Sequence, residues 1–204
     1  VRESLVLLKN NENLLPIDPT KHFVIVGDSA QSINSQMGGW TITWQARENK
    51  NSDYKNVQNI YSALASNIVN QGGTVEFSRD GSYKKKPDAV IAVYGEEPYA
   101  EGDGDRKDLQ FLSKDSTYLK IMESFNTQKF PIISIFLSGR PLEINRQLNL
   151  SNSFVAAWLQ GTAVEGIGDV IFTKNDKVNY DFKGKLSYSW PRYADQNLNF
   201  KDAN

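Results

Sequence analysis

The sequence predicts an α/β fold, a three-layer sandwich in which a mostly parallel sheet of about six strands carries helices on both faces. Three observations point there. Phe23-Val-Ile-Val26, Ala89-Val-Ile-Ala-Val-Tyr94 and Pro131 to Leu137 are short, unbroken apolar runs rich in β-branched residues, the pattern of strands buried on both faces. Between them, apolar residues recur at offsets of three and four, the period of a helix with one buried stripe. The two kinds of segment alternate along the chain, as they must when a helix crosses back to start each new parallel strand.

In chain order, Leu5, Leu7 and Leu8 form an apolar run closed by Lys9, Asn10 and Asn11, which suits the end of a helix and a turn. Pro16 and Pro19 then exclude further helix. Phe23–Val26 is the first strong strand, and residues 28–53, rich in Gly, Ser, Asn and Gln, read as a long loop. From Tyr54, the positions Val57, Tyr61, Leu64, Ala65 and Ile68 make a helical stripe that stops at Gln71-Gly72-Gly73, and Thr74–Phe77 is a short strand. Ala89–Tyr94 ends in Gly95 and an acidic loop, Glu96 to Asp108. Tyr118, Ile121, Met122 and Phe125 mark a helix, Pro131–Leu137 a strand, Leu142–Leu150 a short helix, Phe154–Trp158 a strand and Ala163–Phe172 a helix. Leu186–Pro191 reads as extended, within a tail spanning 180–204.

With 204 residues, 39% hydrophobic and 23% charged, the chain suits a single domain over 1–204. Area scaling for this length hides about 70% of the extended chain's surface, so neither disulfides nor metals are needed for a core. Lys+Arg 23 against Asp+Glu 24 leaves no basic excess, so nucleic acid is not an expected partner. No apolar run approaches the ~20 residues of a membrane span, so no membrane partner is expected either. The absence of cysteine excludes thiolate metal sites and a cysteine nucleophile. The chain opens at Val1 in a segment already patterned for structure and reads as a piece of a longer protein.

In an open parallel sheet, ligands meet the crevice beyond the carboxyl ends of the strands, which directs attention to the loops after Val26, Tyr94 and Leu137. The loop after Tyr94 reads Gly95-Glu-Glu-Pro-Tyr-Ala-Glu-Gly-Asp-Gly-Asp105, five carboxylates in ten positions. Such crowding is expected to raise carboxyl pKa values, which would let one of them hold a proton for a glycosidic oxygen. The plainer alternative is a solvated acidic loop or a weak calcium site, although Asp103-Gly-Asp105 is not continued by the ligands of an EF-hand. The loop after Val26 carries Gly38-Gly-Trp-Thr-Ile-Thr-Trp-Gln45, whose Trp40 and Trp44 are either a plug packed into the domain or a platform for a sugar ring. No dinucleotide fingerprint, phosphate loop or Gly-x-Ser-x-Gly elbow is present, so no cofactor or metal is expected. His22 reads as structural, and Arg140 is placed either to pair with a carboxylate near the crevice or to stabilise the fold.

These residues together resemble the C-terminal α/β sandwich domain of glycoside hydrolase family 3, the β-glucosidases and exo-β-glucanases. The resemblance rests on Arg2–Asn10 with Asn13-Leu-Leu-Pro16, Gly38–Gln45, Gly95–Asp105, Ser138-Gly-Arg-Pro141, Ala156-Ala-Trp-Leu159 and Leu186–Pro191, in that order. It departs at Gln160–Glu165, where Pro-Gly-x-Glu-Gly is usual, and at Ala46, where glycine commonly follows Gln45. The resemblance implies Glu101 as catalytic acid/base, Trp44 and Trp40 as substrate-binding walls, and a β-linked glucoside or oligosaccharide as substrate. It also implies a preceding (β/α)8 barrel that holds the aspartate nucleophile, with residues 1–20 leading in from it, and an isolated chain that is inactive. Periplasmic or extracellular residence is suggested by the resemblance alone. A non-catalytic carbohydrate-binding or scaffolding module is the alternative, and a nucleotide-binding domain a third that lacks any phosphate fingerprint.

Overall fold

A computed structural model describes residues 1–113, 116–187 and 189–196. In chain order the elements are β1 (Val6–Asn10), β2 (His22–Val26), α1 (Ile33–Met37), α2 (Ile60–Asn70), β3 (Thr74–Ser78), β4 (Ala89–Gly95), α3 (Thr117–Thr127), β5 (Ile132–Leu137), α4 (Asn145–Leu150), β6 (Ser153–Ala156), α5 (Glu165–Ile171), β7 (Thr173–Lys174) and β8 (Lys177–Val178). The sheet runs β1-β6-β5-β4-β2-β3, with β2 to β6 parallel and β1 antiparallel on β6. This is the six-stranded, mostly parallel sheet expected from the sequence.

Alternation along the strands sorts side chains into two cores. Phe23, Ile25, Ile91, Val93, Ile133 and Ile135 face α2 and α5, while Val24, Val26, Ala92, Tyr94, Phe136 and Phe154 face α3 and α4. Helices therefore cover both faces, which is why β2, β4 and β5 read as unbroken apolar runs. The second core is aromatic: Tyr94 stacks on Tyr118 with ring centroids 4.4 Å apart, and Phe111 meets Phe136 edge-on at 4.9 Å. A polar thread within it is satisfied, because the Tyr94 hydroxyl donates to Ser134 Oγ (2.9 Å), which bonds Ser151 Oγ (2.7 Å). Burial pushes the Tyr94 phenol far up and the Tyr118 phenol up to about 12, so both remain neutral donors.

Several elements differ from expectation. Residues 6–10 form strand β1, not the end of a helix: Leu7 packs on one core and Leu8 on the other, and pairing with the free edge of β6 outweighs the helical reading of a leucine-rich run. The loop over 28–53 contains the one-and-a-half-turn α1, whose N-terminus is closed by Ser32 Oγ accepting from Ser35 N (3.1 Å). Helix α2 starts at Ile60, where Asn59 caps it by accepting from Ser62 N (2.8 Å), and buries Ile60, Ala63, Leu64 and Ile68, leaving Val57 before the helix and Ala65 off the buried stripe. The strand β6 ends at Ala156, since Trp158 turns into the left-handed region at φ 59°. Helix α4 is confined to Asn145–Leu150 and α5 to Glu165–Ile171, and the β7–β8 hairpin has no counterpart in the sequence reading.

His22 is buried, with Nδ1 2.8 Å from Thr74 Oγ1 and Nε2 3.1 Å from Glu76, consistent with a structural role. Of the extended tail, Tyr188 and residues 197–204 lie outside the described residues. The described part is anchored: Trp190 Nε1 donates to Leu142 O (2.7 Å) and Leu109 N to Ala194 O (2.6 Å).

One glycine fixes the geometry at the sheet's carboxyl edge. Gly27 leaves β2 at φ 98°, and a Cβ there would overlap the carbonyl of Val93 in the neighbouring strand. Gly27→Ala is therefore expected to destabilise the fold by at least about 3 kcal/mol in urea unfolding, against about 1–2 kcal/mol for Gly72→Ala. Gly72 shares a positive φ (90°) but has open space around it.

Candidate active site

Strand β2 connects through α2 to β3 on one side, and β4 connects through α3 to β5 on the other, so the chain reverses direction between β2 and β4. A sheet with this order opens a crevice at that point. There the loops after β2, β4 and β5 meet. Between the β2 and β4 loops is a cavity of about 670 Å³ walled by Asp28, Ser32, Asn49, Arg79 and Glu96 among others.

The Trp40–Trp44 turn is closed by Trp40 N donating to Trp44 O (2.8 Å). Asn49, buried, braces it by donating to Thr41 O (2.6 Å) and accepting from Thr43 Oγ1 (2.8 Å). Trp40, Ile42 and Ala46 all take positive φ, at 58°, 67° and 60°. For Ile42, β-branched and 62% exposed, this is strain without burial in return. Ala46 lies in the left-handed region where the family resemblance places glycine.

Glu101 projects from the loop after β4, and the structure brings all three expected site residues together. Trp40 Nε1 (2.8 Å) and Trp44 Nε1 (2.9 Å) both donate to Oε2 of Glu101. The indoles lie 6.3 Å apart at 41°, too close and too tilted to sandwich a sugar between them. They are 69% and 53% exposed, so neither is the plug that burial alone would require, and each offers an outer face.

The loop that carries Glu101 is held by residues from both neighbouring loops. Gln45 binds its backbone at two points, accepting from Ala100 N and donating to Glu101 O, each at 2.8 Å. Arg47 donates to Pro98 O (3.1 Å) and pairs with Asp103 (2.7 Å). Arg140 pairs with Glu96 (3.2 Å), donates to Gly104 O (2.7 Å) and lies 4.1 Å over the Tyr99 ring. Ser138 and Tyr99 hydroxyls complete the Glu96 site at 2.7 and 3.2 Å. Glu96 is thus a structural anchor, and Arg140 pairs with a carboxylate near the crevice, tying the β4 loop to the loop after β5.

Tyr99 is the hub. A Cβ on Gly39 would overlap its carbonyl oxygen, one on Gly104 would lie 2.5 Å from its ring, and one on Gly139 2.6 Å from its hydroxyl. Burial, with the nearby Glu96 charge, pushes its phenol up to about 12.

The expected upward pKa shift is corrected for Glu101. The indole donors of Trp44 and Trp40, with a backbone hydrogen bond between them in weight, hold its carboxyl below the ordinary glutamate value. Three of the loop's carboxylates are matched by arginines: Asp103 by Arg47, Glu96 by Arg140 and Asp108 by Arg106. Sequence reasoning missed Gln45, Arg47 and Tyr99 as anchors. The available signals were an arginine facing a carboxylate-rich loop and glycines in all three converging segments. Among the described residues, no group of three or more His, Asp or Glu side chains converges as a metal site would need, and no helix is long and apolar enough to cross a membrane.

A family model for the glycosyl hydrolase family 3 C-terminal domain matches residues 5–204. The chain belongs to that family. The family 3 domain superposes on the exo-1,3/1,4-beta-glucanase ExoP of a Pseudoalteromonas species with a TM-score of 0.92 at 46% identity, covering 98% of this chain and 25% of that one. It is 27% identical to the periplasmic beta-glucosidase of Salmonella typhimurium, over 96% of this chain and 28% of the relative. It is 26% identical to a beta-xylosidase of Formosa agariphila, over 95% of this chain and 28% of that relative. The chain thus spans little more than a quarter of the length of these curated relatives.

Because the folded pKa of Glu101 is depressed, the indole–carboxylate contact is complete above the ordinary glutamate value and is lost as pH falls through the lowered one. Acidification should therefore change tryptophan fluorescence in a step that Glu101→Gln abolishes while the far-ultraviolet dichroism stays constant.

Proposed function

We propose that this domain supplies the acid/base of a retaining β-glucosidase or exo-β-glucanase, with Glu101 as the proton donor and Trp44 and Trp40 lining the subsite of the departing sugar. One observation carries the reading: the carboxylate at the tip of the β4 loop is oriented by both indoles of the neighbouring loop. A sugar platform needs only ring faces. Fixing a carboxylate between two N–H donors has a use in proton transfer, which favours the catalytic reading over a non-catalytic binding module. The 46% identity to an exo-1,3/1,4-beta-glucanase supports the substrate class of β-linked glucosides.

Retention requires two carboxyls about 5 Å apart across the scissile bond. The nucleophile is assigned to a preceding (β/α)8 barrel in the full-length protein, from which residues 1–20 lead in. In the first half-reaction Glu101 protonates the glycosidic oxygen as the nucleophile forms the glycosyl intermediate. In the second, the Glu101 carboxylate takes a proton from water as water attacks the anomeric carbon and the bond from that carbon to the nucleophile breaks, freeing the nucleophile's carboxylate. On its own the domain holds Glu101 ionised, the wrong state for an acid. A second carboxylate brought close by the barrel raises the pKa by like-charge repulsion, so loading the proton depends on docking. The isolated chain accordingly lacks both the attacking group and the protonated donor.

In the full-length protein, Glu101→Gln should lower kcat/KM for an alkyl or cellobiose-type substrate by roughly 10²–10⁴-fold. Hydrolysis of a dinitrophenyl glucoside, whose leaving group needs no proton, should retain its glycosylation rate, and azide should restore turnover as the glycosyl azide. Unchanged hydrolysis of the poor leaving group would remove Glu101 from this role. The 204-residue chain alone should show no turnover on either substrate.

A further inference from the structure

We propose that Trp40 and Trp44 are positioning residues for the proton transfer itself, their indole N–H groups converging on Oε2 of Glu101 and leaving Oε1 as the atom that gives and takes the proton. This deepens the acid/base reading of Glu101 and rests on it. Both N–H groups reach the same oxygen, at 2.8 and 2.9 Å, while no other side chain among the described residues donates to Oε1. An oxygen that already accepts two donors has committed both lone pairs, so a proton placed there must displace an indole. Oε1 takes one with both bonds intact. Indole nitrogen is a donor only, so neither ring competes for the proton.

The N–H bond lies in the ring plane, so donating it leaves the indole faces available to a sugar. Stacking and carboxylate orientation are therefore separable duties of the same two residues. The peptide behind Glu101 is fixed as well: Gln45 holds Ala100 N and Glu101 O, which sets the direction from which the side chain approaches the indoles.

The pair also acts on charge. When the Oε1–H bond breaks, its proton goes to the glycosidic oxygen, the bond from that oxygen to the anomeric carbon breaks, and the electron pair left on Glu101 spreads over both carboxylate oxygens. Two preplaced N–H donors on Oε2 stabilise that charge without reorganising. In the second half-reaction Oε1 takes a proton from the attacking water and the carboxyl is restored. The charged groups on the three converging loops include Glu96, Glu97, Asp103, Asp105, Arg106 and Asp108 on the same loop, Arg47 from the tryptophan loop and Arg140 from the loop after β5. Arg47 is engaged by Asp103, and Arg140 by Glu96. The two indoles, together with the backbone N–H of Glu101, remain as the direct partners of the carboxylate, in keeping with its lowered pKa.

Replacing each tryptophan with 3-benzothienylalanine, which puts sulfur in place of the N–H on the same bicycle, isolates the effect. By ¹³C-carboxyl NMR on the 204-residue chain, the Glu101 midpoint should rise with either replacement and rise further with both. In the full-length protein the alkaline limb of the kcat/KM profile should move to higher pH in step. Hydrolysis of a poor leaving group should fall about tenfold per lost donor, while a dinitrophenyl glucoside is spared. Trp40→Phe and Trp44→Phe provide the same readout with natural residues. An unmoved midpoint and profile would overturn this proposal alone, as would a complex with thio-linked β-glucobiose whose glycosidic sulfur faces Oε2. If Glu101→Gln spares the poor leaving group while the midpoints still shift, the acid/base reading and this proposal fall together.

Discussion

The close packing of three loops around Tyr99 is the constraint on which the site depends. The loops after β2, β4 and β5 touch only because Gly39, Gly104 and Gly139 present no side chain to that residue. Arg140 over the ring and Glu96 beneath its hydroxyl then add charge to a contact that sterics have already defined. With its phenol pushed up to about 12, Tyr99 stays a neutral donor wherever a glutamate carboxyl titrates. The ionisation of Glu101 therefore leaves its own mounting undisturbed.

The layers below serve this arrangement by being rigid. Strands β2 and β5 are buried along their lengths and β4 as far as Tyr94, and aromatic stacking under β4 reaches Tyr94, two residues before the loop begins at Glu96. Above them the tryptophan loop carries backbone strain at Trp40, Ile42 and Ala46 that its own hydrogen bonds sustain. Strain at a site on an unstrained scaffold holds side chains in positions that a relaxed loop would abandon. The indoles consequently stand exposed yet hydrogen-bonded.

The sequence made the middle of the fold legible and its borders less so. Central strands announce themselves because burial on two faces leaves no room for polar residues, as in Ala89–Tyr94. Residues 6–10 mislead because alternate burial of Leu7 and Leu8 is decided by a partner strand far along the chain, at Ser153–Ala156, which no local pattern encodes. Helix α1 hides because only Ile33 and Gln36 of its five residues are buried. At the site, Glu101, Trp40 and Trp44 could be picked out as residue types in suggestive loops. Their electrostatics could not, since the donors that lower the Glu101 pKa lie 57 and 61 positions away and the matching cations come from other loops. Composition reveals how many charges a loop holds, and only the fold reveals which are paired.

Strand β1 has a consequence for where this unit can be cut. It reaches the sheet before the first parallel strand is made and caps the outer edge of β6 with antiparallel hydrogen bonds from Val6 to Asn10. A version trimmed to begin at β2 would keep every parallel pairing yet leave Ser153–Ala156 with a bare row of amides and carbonyls, an invitation to stack against a second copy. For anyone transplanting this lobe between enzymes, the useful seam lies ahead of Leu5, however tempting the prolines at 16 and 19 look as a joint.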